Sequence, residues 1–352
     1  MLTGKRVLVT GGTGSLGKVL VRRLLSGEIG LPHQITVFSR DEAKQHSMRL
    51  AFERWRAVTD EVIYHNFERL LQFRIGDVRD LHSVSTSLRD ADVVFNAAAL
   101  KQVPSCEYFP FEAVQTNILG AENIIRAIRE SGLNVETVVG ISTDKACKPV
   151  NVMGMTKAVQ ERLFVRANLD AERTRFICVR YGNVLASRGS VIPLFHEQIR
   201  HGGPVTITTT DMTRFLLSLE QAVDTIFAAL KGARRGETYI PRVPSALVTD
   251  IAEALIGDRK IDIRVTGIRP GEKVHEILVS EEEAYRTVER GDYYAIMPML
   301  PELRSHDDQQ PALGKEYCSA DSQMDKAAVG ELLRRHNLMV GDRFVYEEDM
   351  LA

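Results

Sequence analysis

At 352 residues, with 44% hydrophobic and 26% charged side chains, the chain can bury a full core plus a smaller companion lobe. Its 45 basic and 47 acidic residues nearly cancel to a formal charge of −2, which excludes the electrostatic footprint of a nucleic-acid or anionic-membrane binder, so any phosphate must be gripped locally. Apolar runs such as residues 91–100 stop short of the roughly 20 residues of a membrane span, and Met1 leads directly into the strand-like Val7-Leu8-Val9 rather than a signal peptide, so a cytoplasmic location is expected.

The first two-thirds of the chain alternates short β-branched runs with longer helical stretches. Residues 6–10, 34–38, 72–75, 93–97, 137–142 and 175–179 read as buried strands, and residues 16–25, 43–58, 110–130 and 154–167 as helices. This order predicts an α/β fold: a Rossmann-type doubly wound parallel sheet whose ligand crevice lies at the carboxyl ends of the strands. From about Tyr181 the character changes. Gly202-Gly203-Pro204, Ile240-Pro241 and Arg269-Pro270-Gly271 separate short strands and helices such as residues 219–230 and 248–255, which predicts a smaller C-terminal substrate lobe. Residues 1–180, with segments returning from later in the chain, are assigned to the dinucleotide-binding domain and residues 181–300 mainly to the substrate lobe. Residues 301–352 form an extension without an assigned role, with a polar loop over 301–314 and a helix near 326–336.

Thr10-Gly11-Gly12-Thr13-Gly14-Ser15-Leu16-Gly17 follows the first strand and opens a helix. Gly11, Gly14 and Gly17 allow a tight turn, close backbone approach to a pyrophosphate and helix-on-strand packing, with Thr13, Ser15 and Leu16 completing the anion-binding loop at the helix N-terminus. After the second strand, an NAD site would usually place a carboxylate on the ribose; Ser39 and Arg40 stand there instead, with Lys44 one turn on. Two cations suit a 2′-phosphate and favour NADP, while Asp41 or Glu42 could still reach the ribose and keep NAD open. Asp77 and Val78 are expected beside the adenine, and Ala97, Ala98 and Ala99 are small enough at the end of strand four to let the cofactor lie close. Cys106, Cys147, Cys178 and Cys318 lack metal-site or disulfide spacing, and the nine histidines show no ligand pattern, so no metal is expected.

Ser142-Thr143-Asp144-Lys145 ends the fifth strand, and Met153-Gly154-Met155-Thr156-Lys157 opens the next helix. Here the chain resembles the extended short-chain dehydrogenase/reductases, in which a strand-end Ser or Thr and a helical Tyr-x-x-x-Lys surround the reacting carbinol. The tyrosine position holds Met153, whose thioether cannot transfer a catalytic proton, so either the chain is inactive or another group does that work. Thr143-Asp144-Lys145 is similar to the acid/base triplet of the UDP-N-acetylglucosamine 4,6-dehydratases of polysaccharide and flagellin-sugar pathways, some of which carry methionine at this place. Residues 97–104, Thr116-Asn117-Ile118-Leu119-Gly120, Arg180-Tyr181-Gly182-Asn183-Val184, residues 188–193, Met212-Thr213-Arg214-Phe215 and Pro270-Gly271-Glu272-Lys273 match the same family, over about residues 5–280.

The resemblance implies 4,6-dehydration of UDP-N-acetylglucosamine to a 4-keto-6-deoxy sugar, with C5 inversion favoured over retention and the cofactor restored within each turnover. Lys145 is then the base for the C5 proton and Asp144 the acid for the departing C6 hydroxyl, which requires the lysine pKa to be pulled down and the carboxyl pKa to be pushed up. Asp144 could instead simply cap the following turn. With Met153 inert, Thr143 is the nearest hydroxyl for the C4 oxygen, and Lys157 would steady a developing alkoxide while binding the nicotinamide ribose. Arg214 is the candidate diphosphate clamp, a surface ion pair being its alternative role, and Arg269 and Glu272 are candidates for the nucleotide ribose or phosphate. The resemblance places Tyr181 and Asn183 on the sugar, Pro193 in a loop beside the diphosphate, and Thr206 and Thr208 on a strand beside the uracil. Lys101 either meets the sugar or its phosphate or is plainly solvated. Relatives form helix-packed assemblies, so a homo-oligomer is expected. An epimerase or reductase on a similar nucleotide sugar, and a non-catalytic NADP-binding protein, are the competing functions.

Overall fold

Parallel strands covered on both faces need apolar side chains at successive positions. Strands β1 (Arg6–Thr10), β2 (Gln34–Ser39), β3 (Leu71–Ile75), β4 (Val93–Asn96), β5 (Thr137–Thr143) and β6 (Arg175–Tyr181) largely meet that need. In the computed structural model, which describes residues 1–54, 61–185, 190–304 and 310–342, they pair in parallel in the order β3-β2-β1-β4-β5-β6. Val7 and Val9 join the core of one face with Leu20, Leu24 and Ile226, whereas Leu8 and Val94 join that of the other with Ile124 and Phe164. This is the two-residue period of a strand buried from both sides. The order reverses between β1 and β4, so the connections after these strands diverge and open a crevice at the carboxyl edge.

Helices Ser15–Leu25, Glu42–Arg54, Leu81–Leu88, Gly120–Ser131 and Val152–Asp170 lie among the strands in sequence. The helix expected over 43–58 ends its described part at Arg54, and residues 55–58 fall outside the described residues; a further helix, Glu61–Leu70, was not anticipated. The stretch 110–130 is helical, but Val114–Leu119 is widened into π-helical turns. There Asn117 pairs with both backbone groups of Leu100, at 2.9 and 3.0 Å, and so pins the segment that follows β4.

The later strands are β7 (Asn183–Val184), β8 (Val205–Ile207), β9 (Thr213–Leu217), β10 (Thr238–Pro241), β11 (Ser245–Leu247), β12 (Ile263–Val265), β13 (Ile277–Val279), β14 (Thr287–Arg290), β15 (Tyr293–Ile296) and β16 (Tyr317–Cys318). Strand β10 extends the main sheet in parallel beyond β6, and the antiparallel hairpin β14-β15 closes its edge. The remaining strands build the smaller lobe: β11-β9-β7, the parallel pair β8-β12, and the antiparallel pair β13-β16. Helices Val191–Arg200, Val248–Ile256 and Lys326–Arg335 contribute Phe195, Leu255, Val329 and Leu333 to a second core with Val205 and Ile207. Residues from the C-terminal extension therefore complete the lobe that faces the crevice. Among the described residues no helix is long and apolar enough to cross a membrane.

Candidate active site

A cleft of about 1190 Å³ runs along the carboxyl edge of the main sheet to the smaller lobe. It is lined by Gly11, Thr13, Gly14, Ser15, Leu16 and Gly17 at one end and by Thr206, Thr208, Arg269 and Glu272 at the other. Between them lie Ala97, Ala98, Ala99, Lys101, Thr143, Lys145, Met153, Lys157, Tyr181, Asn183 and Arg214. Of the residues expected at the site, only Asp144 and Pro193 are missing from this wall. Asp144 is fully buried behind Thr143 and Lys145. Pro193 sits in the first turn of helix Val191–Arg200, not in a loop, because that turn needs no donor from it; its neighbours Ile192 and Leu194 reach the cleft instead. Thr208 also departs from expectation, since β8 ends at Ile207; Thr208 follows the strand and donates from Oγ1 to Glu272 Oε2 at 3.3 Å.

The glycine loop fits a dinucleotide phosphate on geometry. Gly11 has a φ of +66°, and a Cβ there would stand 2.7 Å from the Ala98 backbone, so the turn after β1 and the end of β4 can meet only if residue 11 lacks a side chain. A Cβ on Gly17 would meet the Gly12 backbone at 2.5 Å, which keeps helix Ser15–Leu25 close under the loop. Gly14 gives that helix no capping side chain, so its first-turn amides remain open to an anion. Beside the loop, at the end of β2, Thr13 and Ser39 hydroxyls lie 3.0 Å apart, Arg40 is 3.8 Å from Asp77, and Lys44 pairs with Asp41 at 3.3 Å. The Arg40 and Lys44 side chains are 57% and 60% exposed, so exchanging these carboxylates for a phosphate costs little. Val78 lines the cleft beside Asp77.

The turn after β5 brings the candidate acid/base residues together. Asp144 Oδ1 accepts from Lys145 Nζ at 3.0 Å and from Thr143 Oγ1 at 2.8 Å, while Oδ2 has no protein partner. Lys145 Nζ also lies 3.4 Å from Glu276 Oε1, a buried carboxylate at the start of β13. Burial, reinforced by Glu276, pushes the Asp144 carboxyl above the ordinary carboxylate range, as an acid requires. For Lys145 the expected downward shift is reversed. Burial pulls the ammonium down, but the Asp144 and Glu276 carboxylates outweigh it and hold the lysine above its usual value. Beside β5, burial lowers Lys157 to about 8; its ammonium donates to Ile141 O and Gln160 Oε1, each at 2.9 Å.

Helix Val152–Asp170 is held against this turn by small residues and caps. Asn151 accepts from the Gly154 amide and donates to Gly271 O, both at 2.8 Å, tying the helix start to the Pro270-Gly271-Glu272 loop. Met153, at the tyrosine position, is buried with Cys106 and Ala113 while its edge lines the cleft. The guanidinium of Arg214 is anchored by backbone carbonyls while it lines the cleft: it donates to Thr213, Val274 and Lys273 at 2.7–3.0 Å, and its Nε is 3.8 Å from Glu276. Asn183 Oδ1 and Ser190 Oγ are buried without a protein partner. Glu276, Ser190 and Asn151 were not anticipated; a glutamate ahead of an apolar strand and a serine or asparagine ahead of a helix are common, and only the fold aims them at the cleft.

The model of the family described as "Polysaccharide biosynthesis protein" matches residues 7–298. The chain belongs to this family. Among relatives of this chain, one from Campylobacter jejuni (strain 81-176) is named UDP-N-acetylglucosamine 4,6-dehydratase (inverting); it is 43% identical over 303 residues, 85% of each chain. A protein of Rickettsia bellii (strain OSU 85-389) that is named UDP-glucose 4-epimerase is also 43% identical, over 301 residues and 84% of each chain. The solved structure of Pen from Bacillus thuringiensis superposes with a TM-score of 0.83 at 34% identity, covering 96% of this chain and 99% of its own. The fold is that of the extended short-chain dehydrogenase/reductases, as the methionine-bearing turn and helix suggested.

Proposed function

We propose that the chain is a UDP-N-acetylglucosamine 4,6-dehydratase that inverts C5 and retains NADP through each turnover. The observation that carries this reading is the fully buried Asp144, paired with a half-buried Lys145 on the wall of a cleft whose tyrosine position is filled by Met153. A nicotinamide dinucleotide, when bound on the glycine loop, supplies the acceptor and donor of hydride for C4 and C6 of the hexose. The chain's own residues do the rest. In the resting ion pair, a proton transfer from Lys145 Nζ to Asp144 over 3.0 Å yields a neutral amine and a neutral carboxylic acid without changing net charge. That is the state elimination needs: Lys145 takes the C5 proton, Asp144 protonates the leaving C6 hydroxyl, and the ion pair is restored. Thr143 orients the C4 oxygen, whose proton passes to solvent as C4 is oxidised and is matched by the proton that C5 takes from solvent when C6 is reduced, and Lys157, cationic below about 8, favours developing negative charge at that oxygen. Tyr181 at the end of β6 and Asn183 at the start of β7 would meet the sugar, with Lys101 near its phosphate. Arg214, Arg269 and Glu272 would hold the nucleotide, and Thr206 and Thr208 would edge the uracil.

Exposed Tyr108, Phe109 and Phe111, beside exposed Met155 and Val159 of helix Val152–Asp170, supply an apolar face for a cytoplasmic homo-oligomer. A C4 epimerase is the second reading, favoured by the equal identity to relatives so named. Incubating purified protein with UDP-N-acetylglucosamine separates the two by mass spectrometry. A product short by one water supports the dehydratase, a C4 epimer of unchanged mass supports the epimerase, and recovery of substrate alone removes both.

A further inference from the structure

Among the described residues, Glu276 is the one carboxylate at the Lys145 ammonium that the proposed acid/base pair does not use. It is 2% exposed, and its Oε1 lies 3.4 Å from Lys145 Nζ and 3.8 Å from Arg214 Nε, while Oε2 is buried without a partner. A carboxylate so placed persists as an anion only beside counter-charges. Those facing it are Lys145 from the turn after β5, Arg214 from β9 and Lys273 from its own loop; Lys145 in turn faces Asp144, Glu276 and Arg214. Its aim is fixed from the backbone. The Glu276 amide donates to Ser319 Oγ at 2.9 Å, the Ser319 amide returns a bond to Glu276 O at 2.8 Å, and Ser319 Oγ is 2.6 Å from Thr213 Oγ1. Thr213 also meets His275 Nδ1 at 2.8 Å. The segment after β16 therefore holds the carboxylate in place.

We propose that Glu276 is a positioning residue: with Asp144 it forms a two-carboxylate cradle that keeps the Lys145 ammonium on the cleft wall and couples it to Arg214. This rests on the dehydratase reading for its role in turnover, but not for the coupling itself. In the proposed cycle Lys145 must give up its proton before it can act, and Glu276 opposes that loss in the empty cleft. The cradle thereby holds the base in its charged form until a ligand engages Arg214 and perturbs the contact. Glu276→Gln keeps the shape and removes the charge, so Lys145 loses one of two carboxylates.

The test is competitive labelling of Lys145 by acetic anhydride across pH, read by peptide mass spectrometry on parent, Glu276→Gln and Glu276→Asp proteins. Glu276→Gln is expected to label Lys145 about tenfold faster at a fixed pH below the titration midpoint, with the midpoint displaced toward lower pH. Glu276→Asp, one methylene shorter, is expected to fall between, and it serves as the variant to read if the amide does not fold. An unchanged Lys145 profile in the folded variants overturns the proposal. Turnover of UDP-N-acetylglucosamine completes the test: a fall in kcat of about tenfold or more with KM nearly constant supports positioning, and parallel loss of both, with labelling unmoved, assigns Glu276 a structural role only. If the parent does not dehydrate this substrate, the functional reading fails while the labelling still decides the coupling.

Discussion

Gly154 brings the following helix directly against the backbone of the turn after β5, and replacing it with alanine isolates what that approach is worth. A Cβ at residue 154 would stand 3.0 Å from the Lys145 carbonyl carbon, closer still to its oxygen, and 3.2 Å from Pro149 Cβ. Ordinary carbon-carbon contact is about 3.5–4.0 Å, so turn and helix must part by about 1 Å to admit one methyl group. The obstacle is backbone, and no side-chain rotation relieves it. The helix is fixed by the Asn151 cap and by Lys157 on Ile141 O, so the displacement falls on residues 144–146. Overpacking of this kind costs about 1–3 kcal/mol of stability, and a shift of about 1 Å in a catalytic group costs about a hundredfold in rate. Urea unfolding and steady-state turnover of Gly154→Ala with UDP-N-acetylglucosamine measure both quantities. A variant with the parent's midpoint and a kcat within about twofold of it would refute the claim that this contact sets the position of Asp144 and Lys145.

Other perturbations follow from the same geometry. Arg180 is buried between Glu161 and Glu283, at 2.6 and 2.7 Å, so Arg180→Met strands two carboxylates and should lower the unfolding free energy by about 3–5 kcal/mol; a loss below about 1 kcal/mol in urea would contradict this. Burial holds Lys157 at about 8 rather than 10.5, so from pH 8 to 10.5 the unfolded chain binds a proton that the folded chain lacks, and this residue makes stability rise with pH across that window. Lys157→Met should flatten the stability curve there relative to the parent, and parallel curves would contradict the assignment. Arg40→Ala should weaken NADP binding about tenfold or more while changing NAD binding little, as a lost charge-assisted bond to phosphate requires; equal losses measured by calorimetry would remove Arg40 from the 2′-phosphate site.

The sheet and the phosphate loop were legible because their causes are local. Strands β1 and β4 announce themselves by unbroken apolar runs, and Gly11 and Gly17 are demanded by backbone contacts within the loop or with the end of β4. Asp144 and Lys145 were legible as a pair because they are adjacent at a strand end. The direction of the Lys145 shift was not, since burial, Asp144 and Glu276 act on it together and the chain brings Glu276 back only just before β13. Arg214 was found as a lining residue, yet its bonds to Thr213, Lys273 and Val274 belong to the closing of the smaller lobe and leave no trace in its motif. Pro193 was placed in a loop by the family resemblance alone, whereas the first turn of a helix accepts a proline without losing a hydrogen bond.

The central claim is that Lys145 removes the C5 proton while Asp144 expels the C6 hydroxyl. Running the reaction with UDP-N-acetylglucosamine in deuterated water, with parent and Lys145→Ala proteins side by side, tests it most directly by NMR and mass spectrometry. The account predicts that the parent yields a product short by one water and deuterated at C5, whereas Lys145→Ala keeps its cofactor but forms no product and returns substrate with its C5 proton intact. Dehydration by Lys145→Ala at the parent's rate would contradict it.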